Sequence, residues 1–151
     1  MKVRIIGIGS NKSTELSYMC NELLKRIRHF VPIEMIEIKG SHFPEKKRRM
    51  VAEGKKVLSA LEKPAFAVAL DPKGRTYDST GFSKFIERHM TEDPRDLVFI
   101  IGGHQGLSDN VKKRADQLLS LSKLTFSHDL SRLILLEQQR TKGAIVTKIS
   151  L

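Results

Sequence analysis

The stretch LVFIIGGHQGLSD, Leu97 to Asp109, joins five consecutive apolar residues to a turn containing Gly102, Gly103 and Gly106. Glycines at such a point let the backbone take positive φ or come close to a ligand, so the turn is a candidate cradle. It suits a plain tight connection between strand and helix equally well. The spacing is not GxGxxG, and no Lys-Ser or Lys-Thr pair completes a phosphate loop, so neither of those two phosphate-binding devices is present. A second feature is the run Lys46, Lys47, Arg48 and Arg49, continued by Lys55 and Lys56. It reads either as a solvated helix face or as a surface for nucleic-acid phosphates. The single cysteine, Cys20, falls on the apolar face of an expected helix. One thiol makes neither an intrachain disulfide nor a metal cluster, and a buried core position is expected for it.

These residues need elements to hold them. Leu97 to Ile101 lacks polar alternation and is too short to cross a membrane, which is the pattern of a strand buried on both faces of a parallel sheet. Ser108 then caps a helix with Val111, Ala115, Leu118 and Leu119 at helical spacing. Upstream, KVRIIGIG forms a strand ending in Gly7 and Gly9, and Ser13 precedes a helix striped by Leu16, Met19, Leu23, Ile27 and Phe30. MIEIK alternates apolar and charged residues, as suits a strand near a sheet edge. Met50, Val51, Val57, Leu58 and Leu61 stripe a second helix in which Gly54 is a weak point. AFAVALD is a third strand ending at Leu70 and Asp71, and PKGRTYDS is read as the loop after it. A helix from near Ser79 carries Phe82, Phe85, Ile86 and Met90; LSKLTF is a short fifth strand; Leu130, Leu133, Ile134 and Leu136 lie on a last helix. Strands and helices alternate strictly, so the fold class is α/β, with a mostly parallel sheet of about five strands and flanking helices. In such sheets ligands sit beyond the carboxyl ends of strands, where Leu70 and the glycine turn both lie.

Composition narrows the partners. The 151 residues make one domain, 1–151, with room for a single core. Lys and Arg number 27 against 17 Asp and Glu, a net +10 that suggests a polyanion such as nucleic acid. With no Trp and two Tyr, an aromatic platform for stacking bases is unsupported, and phosphate contact with shape readout is the better expectation. No run of eighteen apolar residues occurs, and the apolar start is too short for a signal peptide, so a cytoplasmic protein with no membrane partner is expected.

The segment FIIGGHQGLSDNVKKRADQLLSLSKLTFSHDLSRLILLEQ, Phe99 to Gln138, closely resembles the ribosomal RNA large subunit methyltransferase H family of the SPOUT methyltransferases. I-G-G-x-x-G-L appears at Ile101 to Leu107, a stretch ending T-F/L-P-H at Leu121 to His128, and R-x-x-L-x-E-Q at Arg132 to Gln138. The opening strand, the EMIEI strand and ALDPKGRTYDS extend the likeness over nearly the whole chain. The resemblance implies S-adenosylmethionine-dependent methylation of the N3 position of a pseudouridine in large-subunit ribosomal RNA. It implies a homodimer acting on the assembled ribosome, and a trefoil knot in the C-terminal part. Carried over by motif, the cofactor-binding residues are Leu70, Gly102, Ser122, Lys123, Leu124, Thr125, Phe126 and Ser127.

The donor is a sulfonium, already electrophilic, so the protein must supply alignment, desolvation and removal of a proton, and no metal is required. His128 and Arg132 stand four residues apart and are expected on one face of the last helix. They are the catalytic candidates: His128 to orient or deprotonate the base, Arg132 to hold a phosphate or the cofactor carboxylate. His128 also suits a merely capping or packing role, and His104 is a weaker candidate. The chain departs from the family after Glu-Gln. It reads LEQQRTKGAIVTKISL, with no Tyr after Tyr77 and no His after His128, where the family continues with Tyr-Arg and closes on Tyr-His. Arg140 stands one position from the family's Arg, and Ser127 replaces a usual Pro, which is expected to loosen the turn before His128. The alternative reading is therefore a non-catalytic ribosome- or RNA-binding relative that keeps the cofactor cleft without the substrate-closing tail.

Overall fold

A computed structural model of the chain describes residues 2–9, 12–61, 64–103 and 105–150, with side chains as far as Gln139. Five strands form one sheet in the order β2-β1-β4-β3-β5: β1 (Val3–Ile8), β2 (Ile33–Ile38), β3 (Ala65–Arg75), β4 (Asp96–Ile101) and β5 (Gln117–Leu119). Every pairing is parallel, and β2 is an edge. The helices are α1 (Thr14–Ile27), α2 (Lys46–Ala60), α3 (Ser79–Glu92), α4 (Asp109–Arg114) and α5 (His128–Ser150).

Side-chain alternation along the strands builds two cores. Val3, Ile5, Val68, Leu97 and Phe99 face α1, α3 and α5, where Cys20, Ile86, Leu135 and Leu136 meet them. Ile6, Ile8, Val98 and Ile100 face the other way, together with Ala65, Ala67 and Ala69, beneath α2 and α4. The three alanines bring those two helices close to the sheet. Gly54 serves the same layer: a Cβ there would lie 3.3 Å from Val111 Cγ2 and nearer still to the Ser108 hydroxyl. The expected weak point of α2 is thus the point where α2 and α4 touch.

Other expectations also change. Met19 and Phe30 do not belong to the buried stripe of α1, being 49% and 52% exposed; Cys20 and Leu24 take those places. Leu118 and Leu119 are strand, because α4 stops at Arg114 and Ala115 turns to extended backbone. Asp116 then fixes β5, donating its N–H to Ala67 O at 2.8 Å and accepting the Ala67 N–H on its carboxylate at 2.8 Å. LSKLTF is a loop. Ser120, just before it, donates to Ser122 O at 2.9 Å, and within it Ser122 Oγ accepts the Leu124 N–H at 3.0 Å, local bonds that replace a ladder. α3 does start at Ser79, as expected, with Asp78 as its cap accepting the Gly81 N–H at 2.6 Å.

The PKGR segment is part of β3. Leu70 pairs with Leu119, residues 71–74 leave the ladder, and Arg75 pairs with Leu119 again. Gly74 makes the return possible, since a Cβ there would come within 2.6 Å of the Leu118–Leu119 backbone. No described helix is long and apolar enough to cross a membrane.

Candidate functional site

A cleft opens beyond the carboxyl ends of β4, β3 and β5, which are neighbours in the sheet. Leu70 and the excursion residues Asp71 and Pro72 form one side, and Ile101, Gly102, Gly103 and Gly106 form another. The segment Leu119 to Ser122, then Leu124, Thr125 and Phe126, closes a third, while His128 and Ser131 approach from α5. The walls are largely apolar, with hydroxyls, a carboxylate and an imidazole at separate points.

The glycine turn is held by its own backbone. Gly103 and Gly106 bridge, with the Gly106 N–H on Gly103 O at 3.1 Å, and Gly106 has φ of 85°. A Cβ on Gly102 would stand 2.7 Å from the Gly106 carbonyl carbon, so Gly102 lets two backbone segments touch. This is a different use from leaving space for a ligand. Gly103 has room for a side chain at an ordinary φ, the nearest atom to a Cβ there being Ile8 Cγ2 at 3.6 Å, whereas Gly106 has open space but a positive φ.

Asp71 lies almost buried at the cleft wall. Its Oδ2 pairs with Lys112 Nζ at 2.8 Å and its Oδ1 accepts the Lys73 N–H at 2.8 Å. The hydrogen bond from Lys112 holds its carboxyl below the ordinary carboxylate range, against the upward push of burial and with help from the Lys73 amide. The pair ties α4 to the excursion of β3.

His128 opens α5 and turns into the cleft. Its Nε2 lies 3.2 Å from Asp129 Oδ1, and the other Asp129 oxygen accepts the Lys12 N–H at 3.4 Å, linking the imidazole to the chain after β1. Ser127 caps the helix: its Oγ accepts the Leu130 N–H at 3.2 Å and its carbonyl accepts the Ser131 hydroxyl at 2.9 Å. Serine here fixes the turn before His128 and does not loosen it.

Arg132 is elsewhere. It is fully buried beneath the end of β1, where its guanidinium donates to Ile8 O at 3.2 Å and also to Gly9 O, and lies 3.7 Å from Glu37 Oε1. Gly7 makes room for it, since a Cβ at that position would meet the guanidinium at 2.6 Å. His128 and Arg132 therefore point to different places. Of the cofactor candidates, Leu70, Gly102, Ser122, Leu124, Thr125 and Phe126 line the cleft, whereas Lys123 and Ser127 do not. His104 lies outside the described residues, as does the side chain of Arg140. Sequence reasoning missed Asp71, Ser120 and Ser131 as lining residues. Asp71 alone had a signal, a carboxylate at the exit of a buried strand. Among the described residues no group of three His, Cys, Asp or Glu is placed to hold a metal ion.

Comparison with known proteins matches this arrangement to a family. The model described as "Predicted SPOUT methyltransferase" matches residues 1–141. Ribosomal RNA large subunit methyltransferase H of Syntrophotalea carbinolica is 37% identical over 142 residues, covering 91% of this chain and 90% of the relative. Ribosomal RNA large subunit methyltransferase H 1 of Thermoanaerobacter pseudethanolicus is 39% identical over 144 residues, with 91% and 93% covered. A solved structure of a probable methyltransferase from Bordetella pertussis Tohama I matches with a TM-score of 0.60 at 14% identity, over 93% of this chain and 95% of that one. At that identity the likeness bears on the fold.

Proposed function

The chain belongs to the ribosomal RNA large subunit methyltransferase H family of SPOUT methyltransferases, and from that membership we propose that it methylates N3 of a pseudouridine in large-subunit ribosomal RNA with S-adenosylmethionine as donor. The observation that carries the proposal is the convergence of Leu70, Gly102 and the Ser122–Phe126 loop, three distant pieces of sequence, on one cleft at the strand exits. The lining fits the donor. Leu70, Ile101, Leu119, Leu121 and Phe126 offer apolar surface for an adenine ring, and Asp71 and the serines offer acceptors for hydroxyl or ammonium groups. When bound, the sulfonium supplies an electrophilic methyl group and leaves as a neutral thioether. The chain must then hold the target nitrogen in line and accept its proton.

His128 is placed for both tasks. It is the imidazole that lines the cleft among the described residues, with the Asp129 carboxylate 3.2 Å from its Nε2. Arg132 acts as a positioning residue, locking α5 to the end of β1 so that the α5 start stays at the cleft mouth. The cleft encloses about 150 Å³, less than the roughly 300 Å³ at the small end of ligand sites. A second copy of the chain completes it in this reading. The surface for that copy is the apolar groove between α1 and α5, where Tyr18 and Met19 are exposed beside Leu133 and Ile134. The trefoil knot of the superfamily belongs to the C-terminal part, and a ribosomal substrate places the protein in the cytoplasm.

One observation favours the non-catalytic reading. α5 continues as helix to Ser150 with no Tyr or His beyond His128, so the family's Tyr-His ending has no counterpart there. Nucleoside mass spectrometry of ribosomal RNA, after incubation of ribosomes with donor and protein, separates the two. This chain should form N3-methylpseudouridine, more slowly than a version with the family ending grafted after Gln138. No methylation by either protein would reject the catalytic reading.

A further inference from the structure

We infer that the groove between the first turns of α2 and α4 is a docking surface for the phosphate backbone of the RNA whose base enters the cleft, an inference that rests on the RNA-methylating function proposed above. Lys46 and Lys47 of α2 and Lys113 of α4 line the groove over a floor of Met50 and Val51, and Asp109 is the acid among the lining residues. Arg48, Arg49, Lys55 and Lys56 extend the charge along α2.

These cations differ from a second set that is neutralised within the fold. Lys2, Lys25, Arg95 and Arg114 pair with Glu34, Glu22, Asp93 and Asp116. Among the described residues none of Lys46, Lys47, Arg48, Arg49, Lys55 or Lys113 forms a salt bridge. Arg48 is instead held over the Phe43 ring at 4.1 Å, which fixes its guanidinium without neutralising it. A face of unpaired like charges is self-repelling and gains most from a polyanion.

Its position suits the same RNA. The turn after β4 divides two sites: Gly102, Gly103 and Gly106 line the cleft, while Ser108, Asp109 and Asn110 just beyond them line the groove. α2 follows β2 in a parallel sheet, so its first turn starts at the same end of the sheet as the cleft. Phosphates flanking a base in the cleft would pass directly over this groove. Lysine ammonium groups over a small apolar floor suit phosphate and sugar contacts, and the aromatic anchors of a protein interface are missing from the groove lining.

Paired charge reversals test the inference. K47E/K113E alters the groove, and K84E/R88E on α3 shifts the net charge equally at a distant face. K47E/K113E should weaken binding to purified large-subunit ribosomal RNA by about tenfold or more. It should also flatten the plot of log affinity against log salt by roughly 0.7–0.9 for each phosphate that is no longer neutralised. Its affinity for S-adenosylmethionine should be unchanged, and K84E/R88E should bind RNA much as the unaltered protein does. Equal weakening in both variants would show a net-charge effect and overturn the docking surface. Loss of binding to intact ribosomes with undiminished binding to purified RNA would point to an acidic ribosomal protein and overturn it too. Absence of salt-sensitive RNA binding by the unaltered protein would remove the RNA-methylating function itself.

Discussion

Gly102 and Gly106 shape the cleft by different means, and substitution should separate them. Gly102→Ala drives a methyl group into the Gly106 backbone, a clash expected to cost about 1–3 kcal/mol and to open the turn. Gly106→Ala meets no atom but must hold φ near 85°, at roughly 1–2 kcal/mol. Gly103→Ala should be nearly neutral. Chemical denaturation of the three variants checks the order, and a costly Gly103→Ala would show that the turn is built otherwise. Asp71 yields a pH dependence. Its carboxyl is depressed in the fold, so the Lys112 pair contributes stability that is complete above the unfolded value near 3.8 and is lost as pH falls through the folded value. Asp93, held down to about 2 by Arg95, loses its contribution in the same acid direction. The melting-temperature gap between the unaltered protein and Asp71→Asn should therefore be widest near neutral pH and shrink below about pH 4. A constant gap would mean that the ionised carboxylate is not what matters. At this scale the sequence is legible where motif and geometry coincide, as for Leu70, Gly102 and Phe126. It misleads for Arg132, because helical spacing puts two residues on one face without saying which neighbour buries one of them.

Among the elements, α2 begins in a way that sacrifices stability. Its cap residue, Glu45, makes no side-chain capping bond, its first turn has no acid, and four cations sit at the positive end of the helix. Glu45→Ser should add about 1 kcal/mol, read by thermal melting, while leaving RNA binding unchanged. Lys47→Glu should also raise the melting temperature but weaken RNA binding, since it removes both the adverse dipole interaction and a groove cation. A Lys47→Glu variant of reduced stability would show that the charge serves the fold. The strands β1 and β4 and the edge position of β2 are readable from continuous or alternating apolar runs. The fifth strand is not. Gln117–Leu119 is three residues long and set by Asp116 bonding across to β3, a long-range contact that leaves no local period. PKGR has the Pro and Gly content of a loop, yet Gly74 is what lets the chain rejoin the ladder.

For the whole molecule, strict alternation of strands and helices implies the parallel α/β class, but nothing in the pattern fixes the order β2-β1-β4-β3-β5 that makes β3, β4 and β5 end side by side. That order creates the cleft. The outer face of α1 and α5 is where the second copy is expected to sit. Met19→Arg with Tyr18→Arg should convert a dimer into a monomer by light scattering, and a monomeric unaltered protein would remove the dimer. In the proposed function the joined exits of these three strands form the methyl-donor site. Calorimetric titration with S-adenosylmethionine tests it most directly, using the unaltered protein and Thr125→Trp, an exposed lining position where a larger ring fills the cleft without disturbing the core. The unaltered protein should bind at one site per subunit and the folded Thr125→Trp variant should not; failure of the first to saturate at millimolar ligand, or equal binding by both, would show that the donor does not bind at these strand exits.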